Sequence, residues 1–105
     1  MIIETEQRGD WFVISLCGAF VIREQYKIKS SFEEQKKKDN PKVAINLSET
    51  NYLDSSALGL IIKESNEFKE IGGKLILYGA NDTLMDMFRM VNLEIVLDIM
   101  DELPE

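Results

Sequence analysis

Apolar positions along the chain follow two rhythms, short β-rich runs and longer stretches with helical spacing. Ile2 to Gln7 (IIETEQ) and Trp11 to Gly18 (WFVISLCG) are strand-like, and the intervening Arg8-Gly9-Asp10 favours a tight turn. They predict an antiparallel hairpin, with Trp11 and Phe12 on opposite faces. From Ile22 to Lys38 the spacing of Ile22, Tyr26, Lys29 and Phe32 predicts a helix with a narrow apolar stripe, stopped by Asn40-Pro41. Val43 to Leu47 (VAINL) is short, apolar and β-branched, as a covered central strand should be.

After a bridge, SETNYL, a second helix is predicted by the return of Leu58, Ile61, Ile62, Phe68 and Ile71 to one side, and Gly72-Gly73 closes it. KLILYG is the next strand. Asn81 offers an N-cap to a shorter helix whose Leu84, Met87, Phe88 and Val91 share a face, leaving Met85 and Met90 pointing elsewhere. EIVLDIM follows as an edge strand or terminal extension, and residues 98–105 read as a mobile acidic tail. The order ββαβαβα with a terminal element predicts an α/β fold, one domain over residues 1–105, with a mixed β-sheet flanked by helices.

Composition changes this picture by exclusion. At 105 residues the chain suits one core, and its formal net charge of −7 would repel a phosphate backbone or an anionic bilayer. Neither nucleic acid nor membrane is an expected partner. The basic cluster Lys36-Lys37-Lys38 reads as the solvated end of a helix, where cations suit the macrodipole. The lone Cys17 has no internal disulfide partner and reads as a small core residue. No run approaches the ~20 apolar residues of a membrane span, and the first residues lack a signal-peptide pattern, so a cytoplasmic protein is expected.

The chain has no histidine. Ser-His-Asp and Cys-His nucleophiles and imidazole metal sites are thereby closed, and neither an EF-hand loop nor a glycine-rich phosphate loop is present. No catalytic residue, cofactor or metal is expected. The remaining chemistry sits at Asn51 to Ile62, NYLDSSALGLII, where Asp54-Ser55-Ser56 stand between a buried strand and a helix. Capping explains one of the three, because a side-chain oxygen satisfies N–H groups left open in the first turn. Two polar residues remain unexplained.

Without a histidine to take its proton, a serine here is a poor nucleophile but a good substrate. A phosphate at a helix N-terminus meets open N–H groups and the positive end of the dipole, so the fold tolerates it. It would add about −1.5 to −2 charges beside Asp54, enough to spoil an interface shaped for a neutral hydroxyl.

LDSSALGLI, with VAINLSET, EIGGKLILYGAND and VISLCGAF, resembles the STAS domain of bacterial anti-sigma factor antagonists over nearly the whole chain. The most specific element is the Asp-Ser-Ser/Thr-x-Leu-Gly turn, matched by Asp54, Ser55, Ser56, Leu58 and Gly59. The resemblance implies a protein that binds an anti-sigma factor when unphosphorylated and so releases a sigma factor. It implies that the partner is commonly also a serine kinase, that a phosphatase reverses the mark, and that the chain itself is not an enzyme. The phosphoacceptor falls on Ser55, with Asp54, Ser56, Ala57, Leu58 and Gly59 as the recognition turn.

Two positions depart from the pattern. Ala57 stands where Gly is usual, and GAFVIREQY lacks two acids common in relatives, in a region that borders the family's partner surface. The departure keeps open a STAS-like scaffold or ligand-sensing module that is never phosphorylated. A receiver domain, with Asp54 as phosphoacceptor, is disfavoured: VISLCGAF supplies no acidic pair for Mg²⁺ and Ile95 to Glu105 contains no Lys.

Overall fold

The computed structural model describes residues 1–104. Strands β1 (Ile2–Arg8) and β2 (Trp11–Phe20) form the antiparallel hairpin, turning through Gly9 at φ 60°. Helix α1 (Tyr26–Lys36) leads to β3 (Lys42–Asn46) and β4 (Thr50–Leu53), and α2 (Ser55–Glu70) leads to β5 (Lys74–Tyr78). Helix α3 (Asp82–Met90) and β6 (Asp98–Met100) complete the order. The α/β architecture expected from the sequence is present, with a six-stranded mixed sheet in the order β1-β2-β3-β5-β6 and β4 beside β2.

All pairings other than β1 with β2 are parallel. Moving from β2 to β3, β5 and β6, the chain always steps in one direction, and right-handed crossovers then place every helix on one face. The main core lies there: Ile14, Leu16, Val43, Ile45, Leu75 and Leu77 of the strands meet Ile28, Phe32, Leu58, Ile61, Phe68, Leu84 and Phe88 of the helices. Phe32 and Phe68 meet edge to face at 6.1 Å. The alternate strand positions Val13, Ala44, Ile76 and Tyr78 form a second, smaller cluster on the opposite face, with Trp11 and Leu103 against it.

Several expectations need correcting. The bridge SETNYL contains β4, which pairs with Gly18, Ala19 and Phe20 at the far end of β2. Strand β2 is therefore shared: its first half pairs with β3, its second with β4, and the register shifts between Gly18 and Ala19. Gly18, at φ 98°, adopts a conformation closed to most side chains at that break. The buried Thr50 fastens the new strand by donating from Oγ1 to the Leu16 carbonyl at 2.6 Å.

The first helix starts later than its apolar spacing suggests. Ile22–Glu24 is a separate 3₁₀ turn, and Ile28 and Phe32, rather than the exposed Tyr26, face the core. Neither Ile71 nor Val91 joins the predicted apolar faces; both follow the last helical turn as C-caps and are exposed. Helix α2 ends as expected at Gly72, at φ 79°, with Gly73 N–H donating to the Phe68 carbonyl and Gly72 N–H to Lys69. Met85 and Met87 both lie against the core, while Met90 is exposed, and Cys17 is half-buried rather than interior. The segment read as a tail begins with β6, paired in parallel with β5, so Asp98–Met100 belong to the sheet; Glu105 lies outside the described residues.

Candidate functional site

The turn at Asp54 is built by the divided β2. Because β4 runs beside Ala19 and Phe20, its last residue delivers Asp54 to the end of β2, where Asp54 N–H donates to the Phe20 carbonyl at 3.3 Å. Asp54 is the N-cap of α2: its Oδ1 accepts from Ala57 N–H at 2.7 Å. Its Oδ2 accepts from Ile22 N–H at 3.2 Å, tying the segment after β2 to the start of α2. Both carboxylate oxygens are engaged by the fold. The Asp54 carbonyl takes the next helical N–H, from Leu58.

Ser55 and Ser56 are then the first two residues of α2, and both are exposed. Their N–H groups precede any intrahelical acceptor, so an anion over the turn would find donors already aimed outward. Ala57 and Leu58 point the other way, 0% and 4% exposed in the main core, and anchor the helix start. Of the expected turn, Ser55, Ser56 and Gly59 thus reach the surface, Asp54 is half-buried, and Ala57 and Leu58 hold the turn from below.

Gly59 is informative because nothing inside the molecule asks for it. A Cβ there would meet no atom within 4 Å, and the residue lies in the regular body of the helix, four positions after Ser55 on the same side. Glycine in a helix costs roughly 0.5–1 kcal/mol relative to alanine. A bare helix surface beside Ser55 leaves room for another molecule.

The surroundings supply an apolar and a cationic element. A shallow cavity of about 300 Å³ beside the turn is lined by Val21, Ile22, Arg23 and Asp54, with Arg23 exposed. Asp54 is the residue that holds this segment in place, through the Ile22 N–H. Tyr52, half-exposed on β4, precedes the turn. Just beyond, Glu24 accepts from Lys27 Nζ at 2.7 Å; this bond holds the Glu24 carboxyl below its ordinary range and the Lys27 ammonium above its own, against the opposing pull of burial. Among the described residues no group of three or more His, Cys, Asp or Glu is placed to hold a metal ion.

The STAS domain family model matches residues 3–105. The chain belongs to the STAS domain family. Curated STAS relatives include the anti-sigma-B factor antagonists of Listeria monocytogenes and Listeria innocua, each 26% identical over 98 residues, covering 92% of this chain and 86% of the relative. Among solved structures, a proposed anti-sigma factor antagonist from Thermotoga maritima superposes with a TM-score of 0.84 at 21% identity, over 96% of this chain and 87% of that one. The Bacillus cell fate determinant SpoIIAA in its phosphorylated form superposes at 0.73 with 20% identity, over 97% and 92%. At these identities the superpositions establish the fold. Among the described residues of this STAS domain, no helix is long and apolar enough to cross a membrane.

Sequence reasoning missed two features of the site. One is the second oxygen of Asp54, which staples Ile22; only a long-range contact reveals it. The other is β4 with its buried Thr50, which no alternation announces, since Thr50 and Leu53 are buried and Asn51 and Tyr52 between them are exposed.

Proposed function

We propose that this STAS domain is an anti-sigma factor antagonist, a regulatory binding protein rather than an enzyme, whose binding is switched off by phosphorylation of Ser55. One observation carries the reading: Asp54 caps α2, so the Ser55 hydroxyl stands exposed at the first helical position, without a hydrogen bond among the described residues. The names of the Listeria relatives support the same class of function.

In this mechanism the unmodified turn, Ser55, Ser56 and Gly59 with the adjoining Val21–Arg23 surface, docks on an anti-sigma factor and displaces a sigma factor. The partner is also the serine kinase. It transfers the γ-phosphoryl group of ATP to Ser55 Oγ, releasing ADP and the hydroxyl proton, and a separate phosphatase hydrolyses the ester to the serine hydroxyl and inorganic phosphate. The helix accommodates the new anion, since its open N–H groups and dipole favour negative charge within the first turn by about 0.3–1 kcal/mol. The interface bears the cost. The antagonist acts in the cytoplasm, where sigma factors work, and contacts no nucleic acid itself.

The test is a binding comparison with the anti-sigma factor recovered from the same cells. Ser55→Ala is expected to bind at all times and Ser55→Asp weakly, with both variants as well folded as the parent. Equal binding by the two would overturn the switch and favour a constitutive STAS scaffold, the reading to which the missing acids at Gly18–Ile22 point.

A further inference from the structure

The face of the sheet opposite the helices raises a separate question. Val13, Ala44 and Ile76 are at most 1% exposed there, although no helix covers them. After β6 the chain turns back beneath the sheet, and Leu103 packs onto this cluster beside Trp11. Leu103 is the residue of this segment that covers the cluster, while Asp101 and Glu102 are exposed beside it.

The layer fits loosely. Leu103 and Arg8 border two cavities at once, one of about 370 Å³ against Trp11, Lys42 and Pro104, the other of about 350 Å³ against Asn46, Tyr78, Asp101 and Glu102. The Tyr78 hydroxyl, on a side chain 8% exposed, has no hydrogen-bond partner among the described residues. A buried donor left unpaired is unfavourable, and an occupant of this cavity that accepted from Tyr78 would relieve that penalty.

Charge indicates which occupant. Arg8 and Lys42 flank the apolar floor, Lys42 Nζ lying 5.7 Å from the centre of the Trp11 ring, and outnumber the one acid of that cavity's rim, Asp10, while the seated segment brings Asp101 and Glu102. Among the described residues Arg8 pairs only with Glu6, at 4.0 Å, on a half-exposed pair. Asp101 and Glu102 make no ion pair with this strip among the described residues, which leaves its two cations open to the carboxylates of an outside chain.

We propose that the helix-free face is a peptide-docking groove, that residues 101–104 are its intramolecular occupant, and that its partner is an extended acidic peptide placing one leucine-like side chain where Leu103 sits. A tethered segment competes at roughly millimolar effective concentration, so an outside peptide binds strongly only when it fits better or when Leu103 is released. Trp11 opens the ten-residue β2 and Phe20, beside the Asp54 turn, closes it, at a strand rise of about 3.3 Å per residue, so the Trp11 end of the groove lies far from Ser55. The proposal stands independently of the Ser55 switch.

Trp11 is the single tryptophan and reports on the groove directly. The experiment compares the full chain with Leu103→Asp by intrinsic fluorescence, titrated with a synthetic peptide of residues 98–104. Leu103→Asp is expected to red-shift Trp11 emission, and the peptide to reverse the shift with a Kd at least tenfold tighter than for the parent chain. The same peptide with aspartate in place of leucine should not bind. An unchanged emission, or a shift that no peptide concentration reverses, overturns the proposal. So does a Leu103→Asp protein that sediments as a dimer which the peptide fails to dissociate, because the groove would then take a second copy. Should Leu103→Asp fail to fold, Leu103→Ala is read in the same way, with a smaller shift expected and the same outcomes deciding.

Discussion

At Asp54 one carboxylate performs two tasks, capping α2 through Ala57 and holding Ile22 beside it. Asp54→Ala is expected to lose about 0.5–2 kcal/mol in urea unfolding for the cap, and more where the Ile22 bond adds to it. Asp54→Asn keeps an oxygen toward Ala57 and should cost less. Ser55→Ala, at an exposed position without a structural bond, should unfold within about 0.5 kcal/mol of the parent. Gly59→Ala separates folding from binding: it should stabilise the domain by about 0.5–1 kcal/mol, since no atom opposes the added methyl, while weakening capture of the anti-sigma factor. A Gly59→Ala protein that binds as well as the parent would remove the bare helix surface from the interface.

Between elements, the strongest tie outside the apolar core is electrostatic. Lys36 near the end of α1 reaches Glu64, 1% exposed on α2, and Glu67 at 2.8 Å, with Glu33 at 3.3 Å on its own helix. Burial works to lower the Lys36 ammonium, but the surrounding carboxylates outweigh it and hold its pKa above the ordinary 10.5. Its bond from Lys36 holds Glu67 below the ordinary 4.5, against the opposing effect of burial. The signs give the pH window. The Lys36 contribution is complete below its unfolded value and is lost only as pH rises through the raised one; the Glu67 contribution is complete above 4.5 and is lost as pH falls through the lowered one. Urea midpoints should therefore be flat from pH 6 to about pH 9 and fall in acid. Lys36→Met strands Glu64 as a buried charge and should cost about 3–5 kcal/mol at pH 7, with a shallower acid dependence. A Lys36→Met protein as stable as the parent at pH 7 would show that the Lys36 pairs do not hold α1 to α2.

The same elements show what was legible in the chain. Helix α2 announced itself because its cap, its apolar spacing and its glycine stop all agree. Helix α1 was legible as a helix but not where it begins: Tyr26 carries the right hydrophobicity for the apolar stripe, yet Ile22–Glu24 forms a separate 3₁₀ turn and Tyr26 is exposed. Strand β4 is four residues long and pairs only with the far end of β2, so neither its length nor its burial pattern separates it from a loop. Residues beyond Met100 read as an acidic tail, since a single leucine among charges has no period; its neighbours across the sheet decide its place.

For the whole molecule, sequential right-handed crossovers put all three helices on one face and leave the other to a thin strap of chain. The candidate switch sits at the edge of the thick layer, on a helix start already anchored by Ala57 and Leu58 in the core. A phosphate there should change the surface without changing the fold, and far-ultraviolet circular dichroism of phosphorylated and unmodified protein should coincide. The turn's location was legible from Asp54-Ser55-Ser56. The division of labour within it, one residue for the cap and one side chain free, required the hydrogen bonds.

The most direct measurement is intact-mass and peptide mass spectrometry of the protein taken from its own cells, before and after phosphatase treatment. A single phosphate on Ser55, removed by the phosphatase and absent from the fraction bound to the anti-sigma factor, is the predicted result. A phosphate on Ser56 instead, or none across growth conditions that alter partner binding, would contradict it.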